Sequence, residues 1–153
     1  MRMMLFALLA LAAVPVSVPA FAQTSACRAT MADRAAVTQT VRNMFVAAKH
    51  RDSSLWNRSV LPDAYFFDGG HEYTAGALFV LIQKTEAAGH VYIWNPTRMH
   101  VEADCQMAWF SEVNVGSVDR RPVTWLESGA LKKVGGQWKL AFLESQRAAP
   151  TAK

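Results

Sequence analysis

Residues 61–76, LPDAYFFDGGHEYTAG, decide how the rest of the 153-residue chain is read. The aromatic run from Ala64 to Asp68 favours an extended strand, because such side chains pack well on a half-buried pleated surface. Asp68-Gly69-Gly70 then supplies a turn, where glycine takes the positive φ that other residues resist. His71, Glu72 and Tyr73 follow on a loop that leads into a helix start. Helical periodicity precedes this stretch and strand periodicity follows it, so the chain changes architecture here.

Upstream, Val37, Val41, Met44, Phe45 and Ala48 recur at helical spacing within 30–50, and Thr30 with Asp33 has the form of an N-terminal cap. Asp52-Ser53-Ser54 breaks and recaps the chain; Leu55, Trp56, Val60 and Leu61 then predict a short second helix ended by Pro62. Downstream, Leu78, Phe79, Leu81 and Ile82 give a third helix over 75–88, stopped by Gly89. Beyond it the pattern predicts strands over 91–103, 106–115, 123–134 and 137–145, joined by links short enough to imply antiparallel pairing. Asn95-Pro96 places a bulge or a sheet edge in the first of these, and Gly135-Gly136 marks a hairpin turn. The expected fold class is α+β, a mostly antiparallel sheet packed with three helices.

The first 22 residues carry Arg2, an apolar run from Met3 to Val14, Pro15, Pro19 and the small-residue site Ala20-Phe21-Ala22. They read as a secretory signal peptide rather than a spanning helix, so the mature chain is expected to be periplasmic or secreted, with no stable membrane span. One domain is expected over 23–147 and a loose tail over 148–153. Losing Arg2 with the leader leaves 15 basic and 12 acidic residues, a formal charge of +3. These charges are scattered, with only short clusters such as Arg120-Arg121 and Lys132-Lys133, which argues against a nucleic-acid partner. Export to an oxidising compartment makes a Cys27–Cys105 disulfide one reading of the two cysteines and free thiols the other.

Several local patterns fit together: Ala48-x-x-x-Asp52 with Leu55, Leu61-Pro62-Asp63-Ala64, Asp68 before the glycine turn, Gly76 opening the third helix, 104–108 in a middle strand, and Leu131 through Gly136-Gln137-Trp138-Lys139-Leu140. In this order they resemble the nuclear transport factor 2-like superfamily, particularly SnoaL-like polyketide cyclases and ketosteroid isomerases. The resemblance implies a strongly curved sheet forming a cone around a cavity for a small hydrophobic or aromatic molecule. Enzymes of this kind use acid–base catalysis without a cofactor, of isomerase, lyase or hydratase type; other relatives are non-catalytic binding or assembly modules. Relatives commonly form homodimers through the sheet, which would place Trp125 and other aromatics on a convex face.

Residue by residue, Asp68 matches the general base of the isomerases, with Phe66 on the same face to supply apolar surroundings, or it reads instead as a turn aspartate that accepts backbone hydrogen bonds from Gly69-Gly70. Met44 stands near the isomerase tyrosine, and Ser128, or Glu127 after a one-residue shift, near the second acid. Strand alternation puts one of Glu127 and Ser128 inside, with an outward Glu127 paired to a surface cation slightly favoured. The resemblance turns Met107, Trp109, Ser111 and Val113 toward the cavity, with Trp56, Phe79, Leu143 and Ser145 as further lining residues. His71 reads as a second proton carrier over the mouth or as a solvated histidine. Arg98, His100, Glu102 and Asp104 share a strand face that reads as solvated, so no metal is expected. No phosphate loop or serine elbow supports nucleotide or acyl-transfer chemistry.

Overall fold

The computed structural model describes residues 27–149, and the predicted leader at 1–22 and the end of the tail at 150–153 lie outside them. Helix α1, Met31–His50, starts at a capping box: the Asp33 N–H donates to the Thr30 hydroxyl at 3.1 Å and the Thr30 N–H donates to the Asp33 carboxylate at 3.0 Å. The same carboxylate accepts from Lys133 at 2.7 Å, tying the helix start to the far hairpin of the sheet and holding Asp33 well below the usual carboxylate range. α1 ends at Arg51 in the left-handed region, and the Asp52 carboxylate accepts from the Leu55 N–H at 2.8 Å to open α2, Ser53–Ser59.

Helix α2 is shorter than the sequence pattern predicts. Val60 is already extended and pairs with Leu140, and Pro62 lies inside β1, Val60–Asp68. The ladder breaks register between Val60 and Tyr65, so a proline without an N–H leaves no pairing donor missing. Gly69 (φ 58°) and Gly70 (φ 83°) turn the chain into β2, His71–Thr74; His71, Glu72 and Tyr73 therefore form a hairpin strand and not a loop. Thr74 caps α3, Ala75–Ala87.

Five more strands complete the sheet: β3, Tyr92–Ile93; β4, Pro96–Ala103; β5, Met107–Val118; β6, Arg121–Val134; and β7, Gln137–Arg147. Their order is β2-β1-β7-β6-β5-β3, with β4 also on the outer edge of β5. The strand predicted over 91–103 is thus split at Asn95-Pro96 into two pieces that pair with successive parts of β5. All pairs are antiparallel except β1 with β7. The sheet curls strongly into a half-barrel that the three helices close. At Gly129 a Cβ would run into the Phe142 carbonyl oxygen and the Phe110 ring; beside it the β6–β7 register shifts between Ala130 and Leu131.

Val37, Val41 and Met44 of α1 pack with Phe66, Phe110, Leu131 and Leu140 of the sheet to form the core. Trp56 holds α2 to it, with ring centroids 5.8 Å from Phe66 and 4.9 Å from Phe79. Cys27 and Cys105 form a disulfide with Cα atoms 5.6 Å apart, next to an isolated bridge between Arg28 and Asp104. The chain before α1 is thereby fastened to the β4–β5 turn. At the other end the Ala148 N–H donates to the Thr124 carbonyl at 2.9 Å, at the start of the segment read from sequence as a loose tail. Among the described residues no helix is long and apolar enough to cross a membrane.

Candidate functional site

A single rung of the sheet gathers the acidic groups. Asp68 on β1 pairs with Ser145 on β7, Ser145 with Glu127 on β6, and Glu127 with Glu112 on β5. Directly paired residues share a face, so the four side chains stand in a row on the concave side. The next rung on that face is Phe66, Leu143, Gly129 and Phe110, and the rung on the other side is Arg147, Trp125 and Asn114. Between this surface and the helices lies a cavity of about 570 Å³, whose lining includes Met44, Trp56, Asp68, Trp94, Trp125 and Glu127. Its walls are mostly apolar, and of its two carboxyls Glu127 is buried and Asp68 half-buried.

The three acids have different surroundings. Glu127 is buried, and its two oxygens accept from the Asn114 amide at 2.9 Å and the Ser145 hydroxyl at 3.0 Å. Asn114 is itself held by the Asn95 N–H at 2.7 Å. Burial pushes the Glu127 pKa up, opposed by those hydrogen bonds. Glu112 is 4% exposed, and neither of its oxygens has a hydrogen-bond partner among the described residues. Burial first, then the neighbouring charge of Glu127, raises its pKa to about 9 against the pull of Arg42. The neutral form of Glu112 is therefore favoured beside Glu127. Asp68 is half-buried and its pKa is raised by burial, opposed by the charges of Arg147 and His71. Among the described residues its carboxyl accepts no hydrogen bond, from the Gly69-Gly70 turn or from anywhere else.

A raised carboxyl pKa has a definite consequence for stability. Below the ordinary glutamate range Glu112 is neutral in both states; as pH rises toward its folded-state pKa, the unfolded chain ionises first and folding is opposed. Glu112→Gln is expected to stabilise the protein at pH 7 by on the order of 2 kcal/mol, with little change at pH 4. Urea midpoints across pH 4–9 check this, and a variant weakened equally at every pH would contradict it.

No family model matches the chain, and no curated protein does. Solved structures do. A nuclear transport factor 2-like protein of unknown function from Pseudomonas putida is similar over 80% of this chain and 91% of its own, with TM-score 0.66 and 13% identity. A protein from Shewanella frigidimarina described as a candidate ketosteroid isomerase covers 72% of this chain and 94% of its own, at TM-score 0.60 and 14% identity. A candidate polyketide cyclase from Sinorhizobium meliloti covers 71% and 94%, at TM-score 0.52 and 23% identity. This chain has the nuclear transport factor 2-like fold.

Within this nuclear transport factor 2-like fold the predicted residues divide by sheet face. Trp56, Phe66, Asp68, Glu127, Leu143 and Ser145 line the cavity, while Phe79 is buried against Trp56 behind the wall. Glu127 points inward, against the slightly favoured outward reading. Ser128 takes the outer position; with Ser111, Arg98 and Glu144 it lines a second hollow of about 420 Å³, which Glu112 and Glu127 also line. The face of β5 turned inward is Ala108, Phe110, Glu112 and Asn114, so Met107, Trp109, Ser111 and Val113 face out, with Trp109 51% exposed. Trp125 is buried in the cavity wall and cannot serve a convex dimer surface. His71 pairs with Asp68 at the hairpin end and is exposed, outside the lining. Arg98, His100, Glu102 and Asp104 lie outward on β4 and its following turn: Glu102 meets Arg34 at 3.4 Å, and the Asp104 carboxylate accepts two turn amides at 2.7 Å.

Sequence reading missed Glu112, Asn114 and Trp94. The signal for Glu112 was present: it and Glu127 are equidistant from the Asp119-Arg120 turn, so a tight hairpin there makes them direct partners.

Proposed function

We propose that the protein is a periplasmic or secreted, cofactor-free acid–base catalyst acting on a small hydrophobic or aromatic molecule, of isomerase, lyase or hydratase type. The observation that carries this reading is the unpaired Asp68 carboxyl facing an apolar cavity, with the buried Glu127 and Glu112 pair further along the same rung. Asp68 would remove a proton from carbon beside a carbonyl, and the glutamate pair would supply the acid side. The disulfide agrees with an oxidising compartment.

Solvent exchange tests the reading without knowledge of the natural substrate. In D₂O, wild type should accelerate α-deuteration of 2-tetralone over buffer, and Asp68→Asn should not. Equal acceleration by both proteins would remove Asp68 from the chemistry. Met44 lines the cavity where an isomerase carries a hydroxyl donor, which favours a non-catalytic binding or assembly module as second reading. Binding of the ketone by wild type without exchange would establish that reading instead.

The outer face supports a homodimer. Tyr65, Phe67 and Phe142 cluster there with ring centroids 5.0–6.0 Å apart, and exposed Trp109 lies on the same rung through Ala130. Sedimentation equilibrium should show a dimer that Trp109→Lys converts to monomer; a monomeric wild type at micromolar concentration would end this reading.

A further inference from the structure

The cavity gathers carboxyl groups inside a chain whose formal net charge is +4. Asp68 and Glu127 line it, and Glu112 lies directly across the strand pair from Glu127. Two strand spacings separate Asp68 from Glu127, about 10 Å between backbones, and both side chains project into the same concave space. None of the three acids forms an ion pair among the described residues. Three cations face them: Arg147 lines the cavity at the end of β7, on the rung beside Trp125, with its side chain exposed, while His71 is exposed on β2 and Arg42 on α1 acts on Glu112 from outside the lining. Burial disfavours ionisation of all three carboxyls despite those charges, and a cation bound among them would favour their charged forms. Around the acids the wall carries Trp56, Trp94 and Trp125, and indole faces attract a desolvated cation.

We infer that the ligand of this cavity is a small organic cation, an amine or quaternary ammonium carried on an apolar ring, with its charge seated between Asp68 and Glu127 and its ring against the tryptophans. The inference rests on the reading of this cavity as the functional site and narrows its ligand from any small hydrophobic molecule to a cationic one. An uncharged guest of the same shape would gain the apolar contacts but leave the carboxyls uncompensated. Because a bound cation favours the ionised carboxylates, its affinity rises with pH and binding releases protons.

Tryptophan fluorescence titration with three matched probes tests this: phenyltrimethylammonium, its uncharged isostere tert-butylbenzene, and benzoate. At pH 7.5 the cation should bind at least tenfold more tightly than the isostere, with the gap narrowing by pH 5. Asp68→Asn and Glu127→Gln should each weaken the cation at least fivefold and leave the isostere unchanged, with thermal midpoints showing that both variants fold. Equal or tighter binding of tert-butylbenzene or benzoate overturns the inference and leaves the cavity and its deuteration assay standing. Failure of all three probes to bind overturns both.

Discussion

Asp68→Asn is expected to lower the rate of α-deuteration of 2-tetralone by roughly 10²–10⁴-fold, the usual contribution of a positioned general base. The substitution keeps shape and volume but removes the basic lone pair, so it separates chemistry from packing. The variant should fold as wild type does, because the Asp68 carboxyl holds no hydrogen bond among the described residues. Asparagine also removes a carboxyl that burial makes costly to ionise, so the thermal midpoint above pH 5 should hold or rise. In wild type, exchange should increase with pH through a carboxyl midpoint above the ordinary aspartate range, since only the ionised form is a base. A variant that retains wild-type exchange, or a wild-type profile flat from pH 4 to 8, would contradict the assignment.

Removing the Cys27–Cys105 disulfide is expected to cost about 2–4 kcal/mol, because the bond closes a long loop in the unfolded chain, with a sequence separation of 78. For a domain of this size that lowers the thermal midpoint by about 5–15 °C. The bond anchors the segment before α1 to the β4–β5 turn, beside the Arg28–Asp104 bridge, so its loss also frees the start of the helix that closes the cavity. Cys27→Ser with Cys105→Ser, compared with wild type before and after reduction, checks the effect by thermal unfolding. Reduced wild type should match the double variant; unchanged midpoints in both would show that the crosslink does not stabilise the fold.

The legible features were those set by short-range chemistry. Thr30 and Asp33 announce α1, the two-glycine turns announce the hairpins, and aromatic alternation announces the strands; each depends on neighbours a few residues away. The order of helices before Gly69-Gly70 and mostly strands after it was therefore readable, and with it the α+β class. Pro62 was misread because its tolerance inside β1 depends on a register break against β7, a strand from the other end of the chain.

Strand parity was less accessible. On β5 and β6 both alternating sets mix polar and apolar residues, so local pattern could not fix the faces, and the outward Glu127 and the inward Trp109 expected from sequence are both reversed in the sheet. The pairing of β6 with β5 and β7 decides the matter, and it turns glutamates inward and a tryptophan outward.

By itself the sequence determined the element order around 61–76 and the turn after Asp68, a carboxyl that the family resemblance singled out. Only the tertiary structure decided what surrounds that carboxyl. Ser145, Glu127 and Glu112 come from three other strands, and register across the curled sheet brings them onto Asp68's rung. The physical reason is range: capping and turn preferences act within a few residues, whereas burial and charge coupling act between groups that meet only after the sheet has closed.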